Sequence, residues 1–597
     1  MEILQALVIG LAALILTPGF FFYFDVTPKV VVVLLGTAIL LLWDAFKRDA
    51  GGRVSRFFSI LVALQLASLG LSTMLSEHQA LSLIGSNWRR FGLVTQAAVF
   101  LFAWMLAWRT AGRPDRVRII LRGVAATGIL VSLFGILQYA GWDPLVGGAA
   151  YHIGEGFWTI VRPPGTLGYV SYFATWLLVT IFLSLVLARS EADLLWRRIA
   201  YASAALSFIA MLLTGTRAAL LGLVAGLCVW LFRAGFRIPR AWILAGAGIC
   251  LAIAGFYFSP PGQPLRSRMR WFIEDPWGGA RPSLWRDSFA MFGHRPVAGY
   301  GPEVFTATFP HFESEKLASS YPDFIHESPH NIFLDAAVSQ GVIGVSILGL
   351  LFVAGFRKAS AGLAAALTAA IVAQQFTVFT VPTALITFVT LALAVAGDAS
   401  PPIESKETFA AVRYVTPLFG MIFLYVAIRL AGADYQLALA QRSLQRGDTA
   451  SAAADYASYV RWRLPGSSAD LWYSRANLDV AQKAKTPMVR FQSLIQAGAA
   501  GVRATQTSED PVNAWYSLAT LYAAQNDAAD TERCLRSAIA ASPTWFKPHW
   551  TLAQVLVLEG RIGEAEAEAE TAVRCNGGKN REVSETLEHI RAQRARN

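Results

Sequence analysis

Long apolar runs succeed one another through the first 430 residues, separated by short polar turns, and a different pattern takes over beyond them. A helix needs roughly 20 mostly apolar residues to cross the hydrocarbon core of a bilayer. Thirteen stretches meet that need: 4–22, 30–46, 57–75, 92–108, 118–140, 168–188, 197–213, 217–232, 241–258, 331–354, 361–378, 380–396 and 412–431. Residues 361–396 divide in more than one way, so the pattern predicts an all-α, polytopic helical bundle of about 12–13 spans. The first run is not a cleavable leader. It lacks a basic start and a small-x-small site, and another span follows at once. One long polar loop, about 259–330, interrupts the series and ends at Pro329-His330-Asn331, where the next apolar helix begins.

From 433 onward the apolar positions recur with the spacing of soluble amphipathic helices. Residues 514–543 and 548–574 repeat at an offset of 34, pairing Leu518 with Leu552, Ala519 with Ala553 and Ala538 with Ala572. That period, with small residues where two helices cross and Pro543 at the repeat end, is the tetratricopeptide pattern. Segments 434–465 and 469–500 look like degenerate copies. The expected organisation is a membrane domain over 1–432 and a soluble α-helical repeat solenoid over 433–597. Such arrays either bind a partner through a groove or serve as a stacked scaffold without a ligand, and the array by itself names no partner.

Composition agrees with the pattern. With 55% hydrophobic and 15% charged residues and a mean hydropathy of +0.45, the chain is too apolar for a soluble protein. The net charge of +11 arises in the membrane part, because 433–597 carries 19 Lys and Arg against 18 Asp and Glu. That placement argues against a nucleic-acid partner and for a membrane-lipid one. With the N-terminus in the cytoplasm, the inner loops 47–56, 109–122, 189–198, 233–240, 357–358 and 397–413 hold 19 basic residues. The short outer loops hold five: Lys29, Arg89, Arg90, Arg162 and Arg217. The positive-inside rule therefore exports the 259–330 loop and, with an odd number of spans, the C-terminal repeats. Of the four cysteines, Cys228 and Cys250 fall in spans, and Cys534 and Cys575 do not form a disulfide framework.

The candidate chemistry lies on the outer side. Arg89 and Arg90 precede the fourth span, Arg162 lies just before Gly165, and Arg217 sits in the turn Thr214-Gly215-Thr216-Arg217. Arg281 and His330 belong to the long loop. A planar, permanently charged guanidinium suits diphosphate oxygens, although an isolated arginine at a span end also serves as an interfacial anchor. An imidazole titrates near neutrality and can act as a general base, although a histidine at a helix start is often only a partner for backbone groups. Glu303 and Glu327 either orient His330, bind a sugar hydroxyl or are solvated loop carboxylates. His326-Glu327-Ser328-Pro329-His330 matches the zinc-protease signature H-E-x-x-H, but Pro329 prevents both histidines from sharing one helical face. No Walker loop and no dinucleotide motif stand out, so neither metal nor cofactor is expected.

These motifs carry a resemblance. Gly165-Thr166-Leu167-Gly168-Tyr169, Thr214-Gly215-Thr216-Arg217, Arg281-Pro282-Ser283-Leu284-Trp285 and Pro296-Val297-Ala298-Gly299-Tyr300-Gly301 are followed by Ser328-Pro329-His330-Asn331-Ile332-Phe333-Leu334 and Gly341-Val342-Ile343-Gly344. Over roughly 80–396 the chain resembles the O-antigen ligase and polymerase family. The resemblance implies a bacterial inner-membrane transferase with its site on the periplasmic side. Such an enzyme moves a glycan from undecaprenyl diphosphate to an acceptor hydroxyl on lipid A–core, a polysaccharide or a protein, without metal. By motif it implies His330 as base and Arg217 and Arg281 as diphosphate or glycan contacts. Arg89, Arg90, Arg162, Asn331 and Glu303 are implied as further substrate contacts. The block Gly168-Tyr169-Val170-Ser171-Tyr172 departs from the Gly-Asn-Pro-Asn of relatives and leaves donor recognition open. A non-catalytic scaffold or transporter, with the repeats recruiting envelope proteins, is the alternative of another class. A transporter, however, places its helix breaks near mid-bilayer, whereas Pro18-Gly19 and Pro382 lie toward span ends.

Overall fold

A computed structural model describes residues 1–47, 54–145, 152–153, 160–235, 248, 251–263, 266, 278–397, 410–466 and 468–596. The expected span 241–258 lies largely outside the described residues, as does 267–277 of the long loop. Helices dominate; among the described residues the strand pairing is a two-residue antiparallel contact of His152–Ile153 with Ile160–Val161. The first group of long helices is α1 (Glu2–Leu14), α2 (Thr27–Lys47), α3 (Arg56–Met74), α4 (Leu93–Thr110), α5 (Pro114–Tyr139), α6 (Val170–Ser190), α7 (Leu194–Leu213) and α8 (Arg217–Arg233). The second is α9 (Arg281–His294), α10 (Ile332–Lys358), α11 (Ala361–Ala373), α12 (Val381–Ala396) and α13 (Ala410–Gln445).

The protein is thus an all-α, polytopic membrane protein, and seven of the described helices are long and apolar enough to cross a bilayer. The expected spans are realised unequally. α1 ends at Leu14, before Pro18-Gly19, and α11 ends at Ala373 in a short 3-10 turn. α12 has 16 residues and every one is buried. At 1.5 Å per residue it is ~24 Å long. It touches protein rather than lipid, so it need not match the bilayer thickness. Close packing at the centre relies on small residues. Gly222 and Gly226 of α8 face the Ala369 and Ala365 carbonyls of the alanine-rich α11, where a Cβ would come within 2.7 and 2.9 Å of those oxygens. This small-xxx-small arrangement lets two helices approach where lipid offers no hydrophobic drive for their association. At the end of the bundle rich in basic residues, Arg116 pairs with Glu2 at 2.8 Å and Arg122 with Glu191 at 2.7 Å.

α13 runs without a break from the bundle past the expected boundary at 432/433 and packs on α14 (Thr449–Trp462). The hairpins α15 (Asp470–Lys483)–α16 (Pro487–Thr507), α17 (Pro511–Ala524)–α18 (Ala528–Ala541) and α19 (Phe546–Leu558)–α20 (Ile562–Asn576) follow, with α21 (Arg581–Arg594) packed on the last. Leu518, Ala519 and Ala538 and their partners Leu552, Ala553 and Ala572 are all buried, so the repeated positions are the packing positions. Cys534 and Cys575 are free and buried.

The feature that builds the end of the bundle carrying His330 is a break inside α10. Gly341 takes φ 67° and ψ −165° in the middle of the helix. The loop strand 296–301 fills the break backbone to backbone. Tyr300 N donates to Val338 O at 2.9 Å, Gly301 N to Ser339 O at 2.8 Å, and Val342 N to Pro296 O at 2.7 Å. A Cβ on Gly341 would lie 2.1 Å from Val297 O, and one on Gly299 would lie 2.4 Å from Ser339 C. The Pro296–Gly301 and Gly341–Gly344 motifs are therefore two halves of one joint. Gly341→Ala is expected to lower stability by about 2–3 kcal/mol through the left-handed backbone and the collision together. Gly349→Ala, in the same helix with open space around it, should change it by less than about 0.5 kcal/mol. Thermal unfolding in detergent, followed by loss of the monodisperse species, compares the two; equal stability of both variants would remove the joint from the account.

Candidate functional site

His330 occupies the step between loop and membrane helix. Asn331 is the N-cap of α10, its Oδ1 accepting from Phe333 N at 3.0 Å and Leu334 N at 3.1 Å. The preceding residue must turn the chain into that cap, and His330 does so with φ 51°, a left-handed conformation uncommon outside glycine. Two contacts hold the turn. Trp285 Nε1, one turn into α9, donates to Pro329 O at 2.9 Å, and buried Ser328 Oγ lies 3.4 Å from both the backbone N and Nδ1 of His330. Residues 322–331 are not helical, so His326 and His330 do not share a helical face. Burial pushes the imidazole of His330 down to about 4, and the charges of Arg281, His326 and Arg89 push the same way. At neutral pH it is an uncharged base.

Two of the arginines, Arg217 and Arg281, act on a third, Arg162. The Thr214–Arg217 motif is a tight turn closed by Thr214 Oγ1, which donates to Met211 O at 2.6 Å and accepts from Thr216 N at 3.2 Å. Arg217 then opens α8, and Arg162 Nε reaches the same turn, 3.5 Å from Thr214 O. Arg281 opens α9, its guanidinium donating to Gly278 O and Phe376 O, both at 3.1 Å. Burial holds the Arg162 guanidinium below the usual arginine range. The neighbouring charges of Arg217 and Arg281 add to that, against an opposing contribution from Tyr169. Arg281 thus belongs both to this cationic group and to the surroundings of His330.

The other candidate residues are engaged in holding the frame. Buried Arg89 is ion-paired with Glu303, and its two terminal nitrogens lie 3.4 Å from Asp335 in the first turn of α10. Glu303 also accepts from Ser86 N at 3.0 Å, so its carboxylate is directed into the loop rather than toward His330. Arg90 meets Asp434 of α13 at 3.4 Å and lies over the Tyr23 ring at 5.2 Å. Asn331 spends its side-chain oxygen on the cap. The two balancing carboxylates, Asp335 and Asp434, were not singled out from the sequence. Their signal was available: each is a lone acid inside an apolar helical run, a position that calls for a cationic partner.

A cavity of about 450 Å³ opens beside His330. Its walls come from distant parts of the chain: Asp25 and Lys29, Trp88 and Arg89, Tyr169 and Tyr172, the stretch holding Phe324, Glu327 and His330, and Thr380 to Pro382. Gly168 of the Gly165–Tyr169 motif permits the approach of Asp25 there, whose Oδ2 would lie 2.3 Å from a Cβ. Arg162, Arg217 and Arg281 are not among the described residues that line it; His330, in the field of Arg281, and Tyr169, in the field of Arg162, both are. A second, tighter cavity lies behind the segment 324–326, bounded on its far side by Asp510, Val512, Thr544 and Trp545 of the C-terminal hairpins. There Thr544 Oγ1 donates to Glu313 at 3.3 Å and Lys547 pairs with Asp323 at 2.8 Å. Burial raises the Glu313 carboxyl to about 7, and burial lowers the 3.7 Å-distant His326 to about 4.

The O-antigen ligase family model (Wzy_C) matches residues 202–349. The matched stretch contains Arg217, Arg281, Glu303, His330 and Asn331, together with the joint at Gly341. It supports a membrane glycan ligase or polymerase in general terms, hence a transferase acting between a lipid-linked glycan donor and an acceptor. Arg89, Arg90 and Arg162 lie outside it. No curated protein matches the chain.

The buried Arg89 frame gives a stability test. Glu303→Gln removes one of its two counter-charges and is expected to cost about 2 kcal/mol, whereas Glu327→Gln, at the open cavity wall, should cost less than about 0.5 kcal/mol. Chemical denaturation in micelles measures both. Equal values would mean that Asp335 alone balances Arg89.

Proposed function

We propose that the protein transfers a glycan from undecaprenyl diphosphate to an acceptor hydroxyl. In this reading His330 is the general base, and Arg162, Arg217 and Arg281 hold the diphosphate. The observation that carries the reading is a neutral imidazole that lines a cavity large enough for a substrate and lies in the field of Arg281, which together with Arg217 also acts on Arg162. The acceptor O–H gives its proton to His330 as its oxygen bonds to the anomeric carbon. The bond from that carbon to the diphosphate oxygen breaks, and the lipid diphosphate leaves with the electron pair. Guanidinium groups fixed before the reaction stabilise that charge without reorganisation. A bound diphosphate offsets Arg281 and raises the basicity of the imidazole when the proton must move.

In the same reading the N-terminus is cytoplasmic, and the 259–330 loop and the C-terminal helices are periplasmic. The basic loops listed by the positive-inside count support this orientation. The hairpins of 433–597 are read as tetratricopeptide-like repeats, supported by the burial of the residues that recur at 34. Arg89, Arg90, Asn331 and Glu303 act by positioning.

His330→Ala and Arg281→Ala are expected to reduce transfer by at least ~1,000-fold while the protein still accumulates in membranes. The measurement is movement of label from undecaprenyl-diphosphate glycan to lipid A–core, a second lipid-linked glycan or a Ser/Thr peptide. Normal transfer in both variants would remove the mechanism. The pH dependence is a second expectation. A histidine pushed down to about 4 stays in its base form at pH 6.5 and loses it only as the pH falls through about 4. The acid limb of kcat/KM, which reports the free enzyme, should therefore lie well below 6.5, and that of kcat should lie higher. An acid limb of kcat/KM at 6.5 or above would contradict the assignment.

A further inference from the structure

The cavity beside His330 differs in chemistry from Arg162, Arg217 and Arg281, which are not among the described residues that line it. Its cations are already engaged: Arg89 by Glu303 and Asp335, and Lys29 by the Asp25 carbonyl. Two carboxylates, Asp25 and Glu327, face it. Such a lining disfavours a diphosphate. Four rings, Trp88, Tyr169, Tyr172 and Phe324, contribute to its walls. Tyr169 is half exposed, and its ring lies 5.1 Å from that of Tyr172 at 55°, so the two form a tilted shelf at the N-terminus of α6. A pyranose has apolar C–H faces that pack on aromatic rings and equatorial hydroxyls that donate to carboxylates. Rings for one and carboxylates for the other are what this wall presents, within reach of the base that must take a hydroxyl proton.

We infer that Tyr169 and Tyr172 form the seat of an acceptor sugar ring, with Glu327 accepting from one of its hydroxyls, so that the acceptor is a glycan rather than a protein side chain. The inference rests on the transferase reading above and names the acceptor class of that same site. It assigns a role to the block in which this chain departs from the Gly-Asn-Pro-Asn of the family it resembles. Tyr169 and Tyr172 determine acceptor specificity here; the charge chemistry belongs to His330 and the arginines.

The test uses the full chain in lipid nanodiscs with labelled undecaprenyl-diphosphate glycan as donor. The acceptor probes are tagged glucose and galactose oligosaccharides and a Ser/Thr peptide. Tyr169→Ala is expected to raise the acceptor KM about tenfold, the equivalent of one lost ring contact of about 1.4 kcal/mol, while the donor KM moves less than about twofold. Tyr169→Phe should restore the acceptor KM to within about twofold of wild type, because the ring and not the hydroxyl makes the seat. Tyr169→Leu, which keeps bulk without a ring, carries the comparison if the alanine variant does not accumulate. An unchanged acceptor KM in both ring-less variants, or a rise confined to the donor KM, overturns the inference. Wild-type transfer to the peptide in preference to every saccharide also overturns it and leaves the transferase reading standing. Donor that binds without transfer of label to any acceptor, or to water, removes the transferase reading and this one with it.

Discussion

The half of this protein that carries His330 depends on a trade of backbone hydrogen bonds at one glycine. α10 gives up its regular ladder at Gly341, and the carbonyls of Val338 and Ser339 pass to Tyr300 and Gly301 of the long loop. Buried peptide groups must be paired, so a helix broken at this depth is stable only while the loop strand fills the gap. The loop in turn carries α9, whose Trp285 fixes the carbonyl before His330, and Glu303, whose carboxylate anchors Arg89. One exchange thus sets the position of the base and of the charged frame around it.

That frame explains why five arginine candidates serve two ends. Arginines at the outer rim of a bundle look alike in a sequence: each is a cation where an apolar run ends. The structure separates them by their counter-charges. Arg89 and Arg90 are tied to Glu303, Asp335 and Asp434, and Arg217 and Arg281 both act on Arg162, Arg281 on His330 as well. Pairing a buried charge costs desolvation and fixes geometry, which suits Arg89 and Arg90 to the role of struts.

Much of the architecture was legible in the chain because lipid imposes a simple rule. Apolar runs of sufficient length become helices, and the runs at 30–46, 57–75, 92–108, 118–140, 168–188 and 331–354 each coincide with one. Lengths were less legible where a helix is enclosed by protein: α12 is buried on all sides and can be short. The motifs around Arg217, Arg281 and His330 pointed to one place because each carries a backbone signal, Gly215, Pro282 or Asn331, along with its charge. Asp335 and Asp434 escaped notice because their meaning lies in partners more than 240 residues away, a relation that no local spacing encodes. The cavity was equally hidden, since its walls are drawn from five separate stretches.

Phe324 and Ile325 have a cavity on either side, one holding His330 and the other closed by the C-terminal hairpins. A two-residue partition shared by two chambers makes the portable unit of this protein larger than its repeats. A graft of the hairpins onto another bundle would leave one face of 305–326 bare, and a foreign array placed here would need to supply the Thr544 and Lys547 contacts that brace the partition. The hairpins and this part of the loop therefore form one structural unit joined to the bundle through α13.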